Sequence, residues 1–287
     1  MTPNSPIACD SILSLSNAAT KHTPYPPLVY HDSVKDLKKR VRAGETVFGC
    51  FLSIGSPITA EIMGLAGYDW ALIDLEHGAG GEREALAQMQ ALEGTPAAAV
   101  VRVESSVRQR SHRVLDLGAH GLMFPRINRA EEAREAVAAM RYPPEGVRGV
   151  AFSNRACAFG SNFLPYMEAS LSALLCVVQI ETPDAVANVD AIAAVDGVDV
   201  LFIGPSDLSH SLGILGQFDH PRYREAVDRT AEAGARHGKA TGILLPKPDD
   251  LPFYRSRGFT FLASGSDGVL LNNAARTLVA KLKEPAR

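Results

Sequence analysis

Two carboxylates in the second half of the chain have the residue type and spacing of a metal site. Gln179 and Glu181 are two residues apart near the end of an apolar run, so on a β-strand their side chains face the same way. Asp207 follows the next apolar run, and a carboxylate beside a dry core needs a partner or a metal. The pair suits Mg²⁺ or Mn²⁺, with Co²⁺ as a further candidate. A second interpretation stays open, in which both carboxylates cap the helices that follow.

A guanidinium and an imidazole also follow apolar runs. Arg102 could bind a carboxylate or stabilise an enolate oxygen, or it could form a structural ion pair with Glu76 or Glu104. Asp74 precedes His77 by three residues, and an Asp–His pair can orient an imidazole as a general base near neutral pH. The alternative for His77 is an ordinary loop histidine.

The turn Gly204-Pro205-Ser206-Asp207 could present backbone N–H groups to an anionic substrate, as the start of a helix does. The sequence contains no G-x-G-x-x-G, P-loop or G-x-S-x-G motif. Nucleotide binding and serine-hydrolase chemistry therefore have no support from motifs.

The elements that must position these residues are eight short apolar runs, each followed by a polar or Gly-rich turn. Continuous apolar runs of this length are typical of strands buried on both faces of a parallel sheet. Eight repeats predict an α/β fold, a closed (β/α)8 TIM barrel, whose function lies at the carboxyl ends of its strands. The predicted strands are Val47–Ile54, Trp70–Leu75, Ala97–Val103, Gly121–Ile127, Leu174–Thr182, Val198–Pro205, Ala240–Pro246 and Phe259–Ser264.

Segments with helical spacing lie between the strands, and several begin with a capping residue followed by proline. The connection from Arg141 to Ala173 is long, and long loops in compact domains are usually functional or disordered. An amphipathic segment at Asp267–Lys283 could close the barrel or pack on a partner subunit. The other predicted helices are Pro57–Ala66, Glu82–Leu92, Val107–Leu117, Arg129–Met140, Pro183–Ala194 and Pro221–His237.

Bulk properties exclude several classes of function. The formal net charge of −3 gives no reason to expect nucleic-acid binding, and we expect no membrane span because no apolar run is long enough. The four cysteines lack C-x-x-C spacing, which indicates a reduced, cytoplasmic compartment. Residues 1–32 are rich in Ser, Thr, Pro and Asn and predict a flexible N-terminal extension, and residues 33–287 predict a single barrel domain.

Several segments together resemble the HpcH/HpaI family of class II pyruvate aldolases. The resemblance extends over roughly residues 33 to 285, in order and with family-like spacing. Two motifs in combination are specific, Gln179-Ile180-Glu181-Thr182 and Gly204-Pro205-Ser206-Asp207-Leu208. The other matching segments are Gly67-Tyr68-Asp69-Trp70 through His77, Val101-Arg102, Asp116-Leu117-Gly118-Ala119 through Pro125, and Arg141-Tyr142-Pro143-Pro144 through Gly149.

The resemblance implies a barrel of the phosphoenolpyruvate/pyruvate type and an enolate mechanism. Glu181 and Asp207 match the family's metal ligands, and Arg102 matches the residue that steadies the pyruvate enolate oxygen. The expected reaction is reversible cleavage of a 4-hydroxy-2-oxo acid to pyruvate and an aldehyde, which makes the expected partners small molecules.

The resemblance also implies how the substrate is held. His77, supported by Asp74, matches the acid/base dyad, and Gln179 matches a polar residue beside the metal. The backbone from Gly204 to Asp207 matches the pocket for the pyruvate carboxylate. A homo-oligomer, a trimer or a hexamer built from trimers with the last helix exchanged between subunits, is expected on the same basis.

Three alternatives remain at this point. An oxaloacetate decarboxylase or macrophomate-synthase-like enzyme would keep the enolate chemistry and form a different product. A Schiff-base aldolase would need a lysine at a strand end, where Lys247 is the candidate. A barrel that only binds ligands would not need the combination of His77, Arg102, Glu181 and Asp207.

Overall fold

The computed structural model describes residues 35–283. The predicted extension of residues 1–32 lies outside the described residues. None of the helices between residues 35 and 283 is both long and apolar enough to cross a membrane.

Eight parallel strands form a closed barrel in which each strand pairs with its neighbours in sequence, and β1 pairs with β8. The predicted (β/α)8 TIM barrel is therefore confirmed, and every predicted apolar run contains a strand. Seven of the eight strands end one to three residues before the predicted run does, and the eighth extends two residues past it. They are β1 Val47–Leu52, β2 Trp70–Asp74, β3 Ala98–Arg102, β4 Gly121–Phe124, β5 Leu175–Ile180, β6 Val200–Ile203, β7 Ala240–Leu244 and β8 Phe259–Ser266.

Helices surround the barrel, and their starts follow the capping chemistry of the sequence. Thr182 precedes Pro183 and its hydroxyl accepts a hydrogen bond from the backbone N–H of Ala185. One predicted helix, Pro183–Ala194, was wrong as a single element, since it is broken into two at Asn188. The helices are α1 Leu37–Arg42, α2 Pro57–Leu65, α3 Glu82–Leu92, α4 Arg108–Asp116, α5 Ala130–Met140, α6 Phe163–Ala173, α7 Pro183–Ala187, α8 Val189–Ala193, α9 Pro205–Ser211, α10 Pro221–His237, α11 Leu251–Arg255 and α12 Asp267–Lys283.

The interior of the barrel is filled by apolar side chains from alternating strand positions. Trp70 stacks on Phe261 with ring centroids 4.1 Å apart. Gly49 packs against the indole of Trp70, where any Cβ would overlap the ring. Trp70 and Leu72 belong to the interior cluster, so the period of two places Asp74 on the same inner face. On β3 the same alternation places Arg102 on the inner face, because Val100 belongs to the interior cluster.

The long connection between β4 and β5 is structured. It contains a 3₁₀ segment, Arg155–Gly160, followed by α6. Arg148 lies buried at its centre between the rings of Tyr142 and Tyr166, with its carbon Cζ 4.5 Å and 5.4 Å from their centroids. The guanidinium also donates to Asp116 at 2.7 Å. This connection is therefore fixed to the barrel wall by a buried cation.

Candidate active site

One open cavity of about 550 Å³ lies at the carboxyl ends of the strands. Every residue that the sequence predicted for the site lines it, so the fold brings the whole predicted set together. The long β4–β5 connection provides none of the lining residues among those that the structure describes. The predicted residues in the wall are Asp74, His77, Arg102, Gln179, Glu181, Gly204, Pro205, Ser206 and Asp207.

Glu181 follows β5 directly and is only 3% exposed. Its Oε1 accepts a hydrogen bond from Gln179 Nε2 at 2.8 Å, and its Oε2 accepts one from the backbone N–H of Arg126 at 3.1 Å. The helix that follows is capped by Thr182, so Glu181 is not the helix cap that one interpretation of the sequence allowed. Burial, followed by the negative charge of Asp207, raises the pKa of Glu181 to about 7.

Asp207 lies in the first turn of α9 and is half-buried. The residue that caps α9 is Gly204, which has no side chain to contribute, and within residues 35–283 no hydrogen bond reaches the Asp207 carboxylate. Gly204 is also packed against Glu181, since a Cβ at this position would overlap the Glu181 Oε1 atom. Among the described residues neither carboxylate forms an ion pair with a cationic side chain, and both face the same cavity.

The oxygen atoms of Glu181, Asp207 and Gln179 form a set of ligands that fits a divalent metal. It offers two carboxylates, and the buried Oε1 of Gln179 has no hydrogen-bond partner. Among the described residues no group of three His, Cys, Asp or Glu side chains gathers to hold a metal, so an ion here would take its other ligands from water and substrate. Oxygen ligands with open positions are the pattern that Mg²⁺ and Mn²⁺ accept.

Arg102 is held in a fixed orientation by carboxylates of the preceding strand and its loop. Its Nε donates to Asp74 Oδ1 at 2.9 Å and its Nη2 donates to Asp74 Oδ2 at 2.6 Å. Nη1 lies 3.2 Å from Glu76 Oε2. Burial alone would raise the pKa of Asp74, but the hydrogen bonds and charge of Arg102 outweigh it and lower that pKa below its ordinary value. The sequence named the Arg102–Glu76 contact as an alternative, and it is present beside the stronger one.

The expected pairing of the Asp74 carboxylate with the His77 imidazole is not found. Asp74 Oδ1 accepts the backbone N–H of His77 at 3.2 Å, but its carboxylate is engaged by Arg102. The His77 side chain is 66% exposed, and its Nε2 lies 3.8 Å from Glu76 Oε2. Arg102 holds the Asp74 carboxylate through two charge-assisted hydrogen bonds, and the Asp74–His77 dyad stays a prediction.

Three further residues contribute to the site, and of these the sequence suggested only Glu76, as an ion-pair partner of Arg102. Glu76 contacts both Arg102 and His77, and burial raises its pKa. Arg126 presents its backbone N–H to Glu181 from a left-handed conformation with φ of 52°. Ser53, at the end of β1, joins the cavity wall. No composition or spacing signal marks such backbone and loop contributions.

Lys247, the candidate for a Schiff base, is exposed and does not line the cavity. A lysine that attacks a carbonyl needs a lowered pKa, which burial in a pocket provides. The geometry therefore gives the Schiff-base alternative no support.

The (β/α)8 barrel gathers acids, a guanidinium and an imidazole at the carboxyl ends of its strands, which is where the enzymes with this fold have their active sites. The chain is a member of the HpcH/HpaI aldolase/citrate lyase family, whose family model matches residues 47–274. It is 42% identical over 248 residues to a 5-keto-4-deoxy-D-glucarate aldolase of Enterobacter sp. (strain 638), and the alignment covers 86% of this chain and 96% of that one.

Solved structures agree with this assignment. An HpcH/HpaI aldolase/citrate lyase family protein from Burkholderia cenocepacia J2315 superposes with a TM-score of 0.83 at 37% identity, covering 87% of this chain and all 100% of that one. Macrophomate synthase superposes with a TM-score of 0.74 at 25% identity, covering 96% of this chain and 99% of that one. The chain is accordingly an enzyme, a carbon–carbon lyase of the aldolase type.

Proposed function

We propose that this enzyme is a divalent-metal-dependent aldolase that cleaves 4-hydroxy-2-oxo acids to pyruvate and an aldehyde, and that it also runs the reverse addition. The observation that carries the proposal is a pair of carboxylates, Glu181 and Asp207, that lie in the same cavity as Arg102 and form no ion pair among the described residues. The similarity to 5-keto-4-deoxy-D-glucarate aldolase makes that sugar acid the first substrate to test.

The chain's own residues divide the work in this proposal. Glu181 and Asp207 would hold Mg²⁺ or Mn²⁺, which when bound supplies a Lewis acid for the developing enolate oxygen. The backbone from Gly204 to Asp207 would receive the carboxylate of pyruvate. Arg102, fixed by Asp74, keeps N–H groups free to stabilise enolate charge, because its guanidinium has five and the contacts to Asp74 and Glu76 use three.

Proton transfer falls to His77 in this proposal. The imidazole lies at the cavity wall, exposed, where it can reach the hydroxyl of the aldol directly or through a water molecule. Glu76, 3.8 Å from Nε2, is placed to stabilise the protonated ring.

The direct test is pyruvate release, coupled to lactate dehydrogenase, from protein stripped of metal and then supplied with Mg²⁺, Mn²⁺ or Co²⁺. We expect pyruvate from 5-keto-4-deoxy-D-glucarate or another 4-hydroxy-2-oxo acid only when metal is present. No metal-dependent pyruvate from a broad panel that includes oxaloacetate would overturn the proposal.

A second candidate keeps the same site and changes the outcome. The similarity to macrophomate synthase over nearly the whole chain favours an enzyme that generates an enolate by decarboxylating oxaloacetate. A rate for oxaloacetate decarboxylation far above that for every aldol substrate would select this candidate over the first.

We further propose a cytoplasmic homo-oligomer, a trimer or a hexamer. The support is α12, whose residues 269–283 are all exposed and include several large apolar ones. An exposed apolar stripe of this kind usually marks an interaction surface. The cysteines Cys50, Cys157 and Cys176 are free thiols, as a reducing compartment would leave them.

A further inference from the structure

A carboxylate outside the metal site collects an unusual number of hydrogen bonds. Asp267 is the first residue of α12 and is 1% exposed. Its Oδ1 accepts the backbone N–H of Ser53 at 2.8 Å, the Ser53 hydroxyl at 3.1 Å and the N–H of Gly268 at 2.8 Å. Its Oδ2 accepts the hydroxyl of Thr59 at 2.8 Å, and the N–H of Ile54 lies 3.3 and 3.4 Å from the two oxygens. The donors come from three segments, the β1–α2 loop, α2 and α12.

The loop that Asp267 holds is in contact with the loop that carries His77. The carbonyl oxygen of Ser53 accepts the backbone N–H of Ala79 at 3.0 Å. Gly55 is close to the same loop, since a Cβ there would lie 3.4 Å from the backbone nitrogen of Gly80. Ser53 and His77 both line the cavity. A continuous line of hydrogen bonds therefore runs from Asp267 through Ser53 to the residues just after His77.

This line lies on one side of the barrel and the metal carboxylates lie on the other. β8, which Asp267 follows, pairs with β1, and β1 pairs with β2, which ends at Asp74. Glu181 follows β5, which pairs with β4 and β6. A change at Asp267 should therefore disturb the wall around His77 and leave the wall around Glu181 in place.

We propose that Asp267 is a positioning residue for the cavity wall around His77, where the proposed function places the aldol hydroxyl and therefore the aldehyde. It fixes Ser53 and Ile54, and through Ser53 it sets the conformation of residues 77–81. This inference rests on the proposed aldolase function for its kinetic consequence, while its structural consequence stands apart from it.

The test compares the wild-type enzyme with Asp267→Asn, Asp267→Ala and the matched control Thr59→Val. The control removes one donor to Asp267 and leaves both Ser53 contacts intact. Amide hydrogen exchange reports residues 77–81, and the addition of an aldehyde to pyruvate yields separate KM values for the two substrates. A structural role without positioning would raise exchange throughout the barrel and would leave both KM values unchanged.

We expect the amide of Ala79 to exchange about tenfold faster in Asp267→Ala and less so in Asp267→Asn, which keeps an acceptor for Ser53. KM for the aldehyde should rise roughly tenfold in Asp267→Ala, and KM for pyruvate should stay within about twofold of wild type. Thr59→Val should match wild type in both measurements.

Unchanged exchange at residues 77–81 in folded Asp267→Asn and Asp267→Ala would overturn the inference. Asp267→Asn alone decides the matter if the alanine variant does not fold. A wild-type enzyme that adds no aldehyde to pyruvate would refute the proposed function, and the exchange measurement would still decide whether Asp267 positions the His77 loop.

Discussion

Arg102 and Asp74 form a two-point hydrogen bond across adjacent strands, with N···O distances of 2.9 and 2.6 Å. They are direct partners in the β2–β3 register, and both are buried. A planar guanidinium held at two points keeps its orientation, which is what stabilisation of a localised enolate charge requires. The pair is also a liability, because removing either member leaves a buried charge without its partner.

The first prediction concerns the shape of the cation at position 102. Arg102→Lys keeps the positive charge but cannot reproduce the two parallel hydrogen bonds to Asp74. We expect kcat for pyruvate release to fall by roughly 100-fold or more, the usual range when one donor to a developing oxyanion is lost. Arg110→Lys is the control, because Arg110 pairs with Glu104 at 2.8 Å outside the cavity. A kcat for Arg102→Lys within a few fold of wild type would contradict this role.

The second prediction concerns pH and metal at Glu181. In metal-free protein its pKa is raised to about 7, so the folded state holds this proton more tightly than the unfolded state does. Its contribution to stability is therefore complete below the ordinary glutamate pKa and is lost as pH rises through about 7. We expect the Tm of EDTA-treated wild type to fall between pH 5 and pH 8 by more than the Tm of Glu181→Gln. Saturating Mg²⁺ should reverse the fall in wild type only.

Calorimetric titration with Mn²⁺ at pH 7.5 or so gives the complementary measurement. Affinity in Glu181→Gln should drop by more than about 100-fold, because even residues that only support a metal ligand are worth 10–100-fold. Glu131→Gln, a change on the exposed face of α5, is the control. Equal Mn²⁺ affinity in wild type and Glu181→Gln would place the metal elsewhere.

The third prediction tests the close approach of backbone to carboxylate at position 204. Gly204→Ala would force a Cβ into the Oε1 atom of Glu181, so either the carboxylate or the start of α9 must move. We expect Mn²⁺ binding and kcat to fall together, by about tenfold or more, since misplacement on the order of 1 Å costs up to about 100-fold. Gly94→Ala is the matched control, as a Cβ there meets nothing within 4 Å. Equal losses in both variants would point to a general effect of the added methyl group.

The architecture was predictable because local patterns and the global fold agree. Continuous apolar runs predicted the strands, and the spacing of two between Gln179 and Glu181 predicted that their side chains face the same way, as they do in lining the cavity. The break at Asn188 was not predictable, because the helical spacing of apolar residues continues through it and the packing against the barrel decides where the helix ends.

The partners within the site were less predictable than its members. The sequence allows Asp74 to bind either His77, three residues later, or a residue of the next strand. Only the register of β2 against β3 decides in favour of Arg102. Arg126 adopts a left-handed backbone conformation, which its residue type does not predict. Ser53, which directly follows β1, is hydrogen-bonded to Asp267, 214 positions away. Such contacts depend on barrel closure, which sequence spacing does not encode.

The fourth prediction concerns Arg148, which stabilises the β4–β5 connection and does not line the cavity. Arg148 is 1% exposed, stacked between Tyr142 and Tyr166, and paired with Asp116. Arg148→Ala should lower the free energy of unfolding by about 3–5 kcal/mol, because it leaves a cavity and an unpaired carboxylate. The kcat of the folded variant should stay near wild type, since the β4–β5 connection does not line the cavity within the described residues. Urea unfolding measures the first effect, and Arg134→Ala, an exposed i,i+3 pair, should cost at most about 1 kcal/mol.

The fifth prediction tests whether α12 is a subunit interface. Leu271, Leu278 and Leu282 are spaced by seven and four residues, which puts them on one side of the helix, and each is more than half exposed. An aspartate in place of Leu278 would have to be desolvated in any contact there, so we expect Leu278→Asp to shift the mass measured by light scattering toward the monomer. Thr277→Asp adds the same charge at the neighbouring position, off the leucine stripe, and should leave the mass unchanged. A wild-type enzyme that is monomeric at micromolar concentration would exclude the interface, because the apolar stripe would then face water in the working enzyme.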